Sequence, residues 1–198
     1  MHTPLIHIRP SHLFAAVIAA LGADLALAAG FQLNETSASG LGNAFAGGAA
    51  VAEDATTLWS NVAGLSRIGS MQVAGAIHLI TPSIRFRNGY SASATLQAQG
   101  GDGGDAGGLN VVPNLYFAMP LNPQWSVGVG LNAPWGLVTE YDDGWAGRFL
   151  AVKSDIKTIN VNPGASFKVN DNLALGFGIN YQRLQATLTN RVNYSAAL

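Results

Sequence analysis

The chain has 198 residues, no cysteine and a formal net charge of −1. That excludes a disulfide framework, a thiolate metal site and a cysteine nucleophile, and it leaves no electrostatic case for a nucleic-acid partner. Only 11% of residues are charged, 48% are hydrophobic and 24 are glycine, a greasy balance beside the roughly one-quarter charged content of soluble domains.

The first element is an apolar run from Leu13 to Ala23. Arg9 precedes it and the small-x-small site Ala26-Leu27-Ala28 follows. This layout predicts a secretory signal peptide over 1–28 and a mature N-terminus at Ala29, outside the cytoplasm. A membrane anchor is the alternative. The run is shorter than the roughly 20 residues a spanning helix needs, and Asp24 interrupts it. Residues 29–69 come next. They are rich in Gly and Ala, do not alternate, and carry a possible helix start at Asp54 before Ala55–Trp59. A segment this apolar ahead of the first strand is expected to fill a barrel lumen as a hatch.

From residue 70 onward the pattern is period two. The expected strands are Met71–Arg87, Leu109–Leu121, Trp125–Tyr141, Ser154–Val169 and Leu173–Val192. In the last of these, Leu173, Leu175, Phe177, Ile179 and Tyr181 share one face, and Ala174, Gly176, Gly178, Asn180 and Gln182 share the other. Trp125, Val127, Val129 and Leu131 oppose Ser126, Gly128, Gly130 and Asn132 in the same way. The outer face of a soluble sandwich is richer in Lys, Glu and Thr. A Gly, Asn and Ser face fits a lumen crowded by other protein. The fold class expected is all-β: a transmembrane antiparallel β-barrel, about five strands of it, with an N-terminal hatch.

Links alternate long and short. Asn122-Pro123-Gln124 and Asn170-Asp171-Asn172 are tight polar turns that enter similar strands about 48 residues apart. Trp125 and Phe167 flank them, as girdle aromatics or as caps on a core. The link 88–108 contains GGDGGDAGG. A single calcium-type repeat is weak without stacked turns, so a flexible extracellular loop is the reading preferred. Within Trp125–Tyr141, Pro134 cannot donate to a ladder and Gly136 weakens the strand. Unpaired backbone in hydrocarbon must line a cavity. Asn132, Ala133, Pro134, Trp135 and Gly136 are therefore the candidate wall opening, with an ordinary rim bulge as the alternative.

An enzyme is the rival class. His78 is the only histidine after Ala29, no Ser has a nucleophile elbow, and Glu53-Asp54 and Asp142-Asp143 are adjacent pairs that diverge in a strand. Neither a catalytic residue nor a metal or cofactor is assigned. A general diffusion porin would want a charged, open lumen.

The segments AGFQLNE (29–35), SGLGNAFAG (39–47), Asn61-Val62-Ala63-Gly64-Leu65, VPNLYFAMPLN (112–122) and PWGLVTEYDD (134–143) resemble the FadL-type outer-membrane transporters of long-chain fatty acids and other hydrophobic compounds. The resemblance implies a Gram-negative outer membrane, a monomeric barrel of about fourteen strands, and a hatch inside it. It also implies passive capture of a hydrophobic ligand and sideways release into outer-membrane lipid through a kinked third strand. Aromatic hydrocarbon uptake remains the alternative. Ala29, Gly30 and Phe31 fall at the family's ligand pocket, and Asn61, Val62 and Ala63 at its hatch turn, where Val62 replaces the usual Pro. A carboxylate head wants a cation beside apolar walls; Arg183 and Arg191 are the candidates. The resemblance further implies that Leu198 ends an N-terminal portion or a truncated gene, with the second half of the ligand pocket absent.

Overall fold

The computed structural model describes residues 30–89 and 96–196. The signal peptide over 1–28 and Ala29 lie outside the described residues. From Ala38 the chain forms three single-turn helices, α1 (Ala38–Leu41), α2 (Gly48–Val51) and α3 (Thr57–Ser60). A 3-10 segment, Val62–Arg67, follows. Helices this short are not stable alone, so caps and packing hold them. The Ser37 hydroxyl accepts from the Gly40 N–H at 2.9 Å. The Asp54 carboxylate accepts from the Thr56 N–H at 2.8 Å. Asp54 thus closes a turn, and α3 starts three residues later than the composition indicates.

Seven strands follow: β1 (Gln72–Ile80), β2 (Asn110–Pro120), β3 (Trp125–Asn132), β4 (Gly136–Glu140), β5 (Lys153–Asn170), β6 (Leu173–Gly178) and β7 (Tyr181–Thr189). They make one antiparallel sheet. β1 pairs β2 and β2 pairs β3. β3 and β4 both lie along one edge of β5, and β6 and β7 along the other. The expected strands Trp125–Tyr141 and Leu173–Val192 are therefore each broken in two.

Both breaks have local causes. In the fifth strand, Ile179 N–H donates to Pro163 O at 3.1 Å. A strand residue points its N–H and C=O to the same side, so Pro163 faces this point with no N–H to return. The ladder loses a bond and resumes in register at Tyr181↔Val161. In the third strand the register itself shifts. Asn132 opposes Asn160, but Gly136 opposes Lys157. Three residues stand against two, a bulge that moves every later side chain to the other face. The first expected strand ends at Ile80 rather than Arg87, just before Thr81-Pro82.

Burial alternates cleanly. On β3 the inward residues Ser126, Gly128, Gly130 and Asn132 are buried, and Trp125, Val129 and Leu131 are exposed on the outer face. On β2 the buried set is Val112, Asn114, Tyr116 and Ala118. Trp125 stands opposite Phe167 on the outer face, ring centroids 4.9 Å apart. On β5 the outward apolar series runs from Val169 to Ile159 before Lys157 begins the polar end. Those ten or so residues rise about 33 Å along the strand, or about 25 Å at a tilt of roughly 40°, the height of a barrel's apolar band.

The inward glycines are where segment 55–68 packs. Ala55, Leu58, Leu65 and Ile68 form a buried cluster with Tyr116 and Ala118 of β2. A Cβ on Gly164 would stand 2.8 Å from Leu58 and 2.9 Å from Val62, and one on Gly128 would stand 3.3 Å from Leu58. Burying each of these leucines stabilises the assembly by about 1.5–3 kcal/mol, and only a wall without side chains lets them approach that closely. Among the described residues, no helix is long and apolar enough to cross a membrane, which says nothing about strands.

The described part of the 88–108 link is clasped rather than loose. Asp105 accepts from the Ser83 hydroxyl at 2.6 Å, from the Ile84 N–H at 2.7 Å and from Arg85 Nε at 3.0 Å. Gly103, in the left-handed region at φ 82°, accepts at its carbonyl from the Asp142 N–H at 3.1 Å. The Ser83 hydroxyl first, then the Ile84 and Gly107 amides, then Arg85, lower the Asp105 pKa well below its ordinary 3.8. The folded pKa is depressed, so the clasp contributes at all pH values above the unfolded value and is lost only as pH falls through the folded one. Asp105→Asn is expected to make the Arg85–Phe86 bond sensitive to trypsin-like proteolysis at neutral pH, whereas in the parent this bond stays resistant down to about pH 4. Equal cleavage of the two at pH 7 would remove Asp105 from this role.

Candidate functional site

The third strand builds the site by what it fails to pair. The last β2–β3 pair is Leu115↔Leu131. Beyond it, among the described residues, Asn110–Asn114 of β2 pair only with β1, and β4 pairs only with β5. The sheet is open between them. Inside that gap the backbone of 133–136 finds other partners. Thr158 Oγ1 accepts from the Trp135 N–H at 3.0 Å and donates to the Trp135 carbonyl at 2.7 Å. Leu33 N–H donates to Pro134 O at 2.9 Å, and Gly136 N–H donates to Phe31 O at 3.0 Å. Gln32 and Trp135 form an antiparallel bridge. The segment 31–33 is thus a short strand laid on the departing part of strand three. Its hydrogen bonds satisfy groups that would be costly in hydrocarbon.

A cavity of about 640 Å³ occupies the gap. Its walls are apolar: Leu33 from the N-terminal segment, Val111 from β2, Leu131 and Trp135 from strand three, and Ile159 from β5. Lys157, Arg183 and Gln185 close one side. Below it the inward face is a polar ladder. Asn132 Nδ2 donates to the Tyr116 hydroxyl at 3.2 Å, and Asn160 Nδ2 contacts Asn132 Oδ1 at 3.2 Å and Asn180 Oδ1 at 3.1 Å. Apolar space therefore meets a polar floor.

Of the residues singled out by sequence, Asn132, Ala133, Trp135 and Gly136 line this cavity, and Pro134 takes the Leu33 hydrogen bond. The strand has a one-residue bulge against β5 and departs from β2. Phe31 is attached at its carbonyl to Gly136, and Gly30 is exposed. Arg183 reaches the cavity from β7. Its strand partner is Ile159, so it stands on the outward face. Arg191 is not among the lining residues; it is paired with Asp143 and its N–H donates to Arg148 O at 2.7 Å. His78 lies inward and buried, 2.9 Å from Asn114 Nδ2. Leu33 and Thr158 were not singled out. Thr158 carries a legible signal, a hydroxyl opposite a strand-interrupting Pro. Leu33 carries none, because its role depends on where the hatch returns.

Asn61, Val62 and Ala63, the residues of the expected hatch turn, sit where segment 55–68 meets the sheet. Asn61 Oδ1 accepts from the Ala63 N–H at 3.2 Å and Nδ2 donates to Ala49 O at 2.8 Å. Val62 packs toward Gly164 and Gly178. It opens the 3-10 segment, where an N–H has no intrahelical acceptor, and Asn61 before it is extended at φ −159°, ψ 97°. Both conditions suit proline. Val62→Pro is expected to leave thermal unfolding unchanged or to stabilise by up to about 1 kcal/mol. A lower unfolding temperature would show that the valine methyls outweigh the backbone term.

A family model described as outer membrane protein transport protein (OMPP1/FadL/TodX) matches residues 19–197. The chain belongs to this family. Outer membrane protein P1 of Haemophilus influenzae is 36% identical over 176 residues, which is 84% of this chain and 38% of that protein. The long-chain fatty acid transport protein of Escherichia coli K12 is 32% identical over 165 residues, 83% of this chain and 36% of that protein. The crystal structure of a Pseudomonas aeruginosa FadL homologue superposes with a TM-score of 0.64 at 27% identity, covering 80% of this chain and 38% of that one. The chain thus spans under two-fifths of the length of these relatives. It is an outer-membrane protein of the FadL family, and its open antiparallel sheet matches part of that family's β-barrel.

Proposed function

We propose that the protein moves long-chain fatty acids or other hydrophobic compounds across the outer membrane. Ligand is captured from outside, without an energy-coupling motor, and released sideways through the wall at Asn132–Gly136. The observation that carries this reading is the unpaired stretch between β2 and β4 with an apolar cavity in it. An apolar solute gains roughly 25 cal/mol per Å² on leaving water for such a space, while the buried Asn132, Asn160 and Tyr116 below it offer nothing to an alkyl chain. Residues 29–69 act as the hatch, with Asn61, Val62 and Ala63 at its seat. Gly30 and Phe31 lie on the ligand's path, and Phe31–Leu33 hold the departing strand until ligand arrives. Arg183 is the cation placed to meet a carboxylate head; Arg191 is committed to Asp143.

Uptake assays test this in cells lacking their own transporter of this type. Labelled oleate, an aromatic hydrocarbon and a small hydrophilic sugar are supplied in parallel. Expression of the protein is expected to raise uptake of one or both hydrophobic solutes and leave the sugar unchanged. Entry of the sugar would reassign the protein as a diffusion porin.

A further inference from the structure

The outer side of the wall cavity joins an apolar slot to two cations, Arg183 and Lys157. Rows of outward residues follow from the strand registers. One row is Gly75, Leu115, Leu131, Val161 and Tyr181. The next row away from the tight turns is Ile77, Pro113, Ile159 and Arg183, with strand three missing between Pro113 and Ile159. The row beyond is Leu79, Val111, Lys157 and Gln185, again with strand three displaced. The gap is therefore a vertical slot on the lipid face, apolar on its β2 side, and its other side ends in two cations.

Those cations stand where the apolar band ends. Val169 to Ile159 accounts for the band's full height of about 25 Å, so Arg183 and Lys157 lie at the level of outer-leaflet headgroups. Lys157 is bound to Asp155 at 2.9 Å. Lys153 is bound to Glu140 at 2.9 Å. Arg183 has no ion-pair partner among the described residues. A guanidinium at this boundary presents a fork of donors matched to phosphate oxygens. The slot, about 640 Å³ with mostly apolar walls on the outward face, does not favour water and suits an acyl chain.

We propose that this slot is a binding site for a phosphorylated lipid of the outer leaflet. One acyl chain lies between Val111 and Ile159, and the headgroup phosphate is held by Arg183 with Lys157 beside it. The lipid is then the outer seal of the wall opening, and a departing ligand must displace its chain. The site uses the same gap as the proposed lateral route, but its occupancy is measured with no ligand present, so the two readings fail separately.

The test uses protein taken from outer membranes in mild detergent, delipidated, and mixed with lipid A carrying both phosphates or with its dephosphorylated form. Native mass spectrometry reads the bound fraction, and heat-modifiable migration confirms folding of each variant. The phosphorylated lipid is expected to be retained and the dephosphorylated one lost. Arg183→Gln is expected to weaken retention about fivefold, Lys157→Gln to cause a smaller loss, and Arg183→Lys, which keeps the charge but not the fork of donors, to fall between parent and Arg183→Gln. For the parent protein, retention of the phosphorylated form is expected to fall with added salt. Equal retention of both lipids, or salt-independent binding, would overturn the proposal. So would an Arg183→Gln variant that weakens oleate binding and leaves lipid A unaffected, which would assign the arginine to the transported ligand's head.

Discussion

Replacing Gly176 with leucine is expected to unseat the hatch while leaving the strands in place. A Cβ at this position overlaps the backbone of Val62 and Ala63. Flexible side chains can swing away from an intruder; a peptide unit in a 3-10 segment cannot move without carrying its neighbours. Overpacking typically destabilises by about 1–3 kcal/mol, and here the only relief is to lift Val62–Arg67 off the wall. That movement pulls Leu58 and Leu65 from their cluster with Tyr116 and Ala118. The lumen should then leak. Small hydrophilic antibiotics and single-channel conductance in planar bilayers report it, with β-content by circular dichroism unchanged. Gly108→Leu is the control, since nothing lies within 4 Å of the Cβ there. A Gly176→Leu protein with parent conductance and parent stability would mean that the hatch does not rest on the glycine face.

The second large effect is expected from closing the wall. Deleting one residue of 133–135 and rebuilding the segment as alternating Val and Thr removes the bulge and Pro134 together. Strand three can then continue its β2 ladder past Leu115↔Leu131 toward Asn110. Each recovered hydrogen bond is worth about 0.5–1.5 kcal/mol, so the barrel should gain stability. The cavity of about 640 Å³ disappears. Uptake should fall to the level of cells without the protein, while oleate still binds from outside. Undiminished uptake through a demonstrably closed wall would exclude the lateral route and direct attention to passage down the lumen past the Asn132–Asn160 ladder.

Much of the wall was legible because period two is a local property. Trp125–Asn132 alternates by residue type, and burial follows the same alternation. The tight turns were legible for a similar reason: Asn122 Oδ1 accepts from the Gln124 and Trp125 N–H groups at 2.9 and 2.8 Å, a bond within one turn. Strand breaks were harder. Pro134 signals its own break, but the break at Ile179–Asn180 originates in Pro163, on the neighbouring strand. Nothing near residue 179 records it. The clasp around Asp105 was missed for the same reason, since Ser83 and Arg85 lie 22 and 20 residues earlier in the chain.

The division between the two sources of information follows the range of the forces. The amino-acid sequence alone determined the strand class, the in-and-out faces, the Gly-rich inward face and the weak point at Pro134. All of these depend on residues within a few positions of one another, or on composition. Only the tertiary structure decided that β4 abandons β2 for β5, that Phe31–Leu33 hydrogen-bond to the departing strand, that Thr158 substitutes for the lost ladder, and that Arg183 and not Arg191 reaches the cavity. Backbone hydrogen bonds are indifferent to side-chain identity. Which strands satisfy one another is therefore set by where the whole chain can bring them together, and a linear pattern carries no record of that choice.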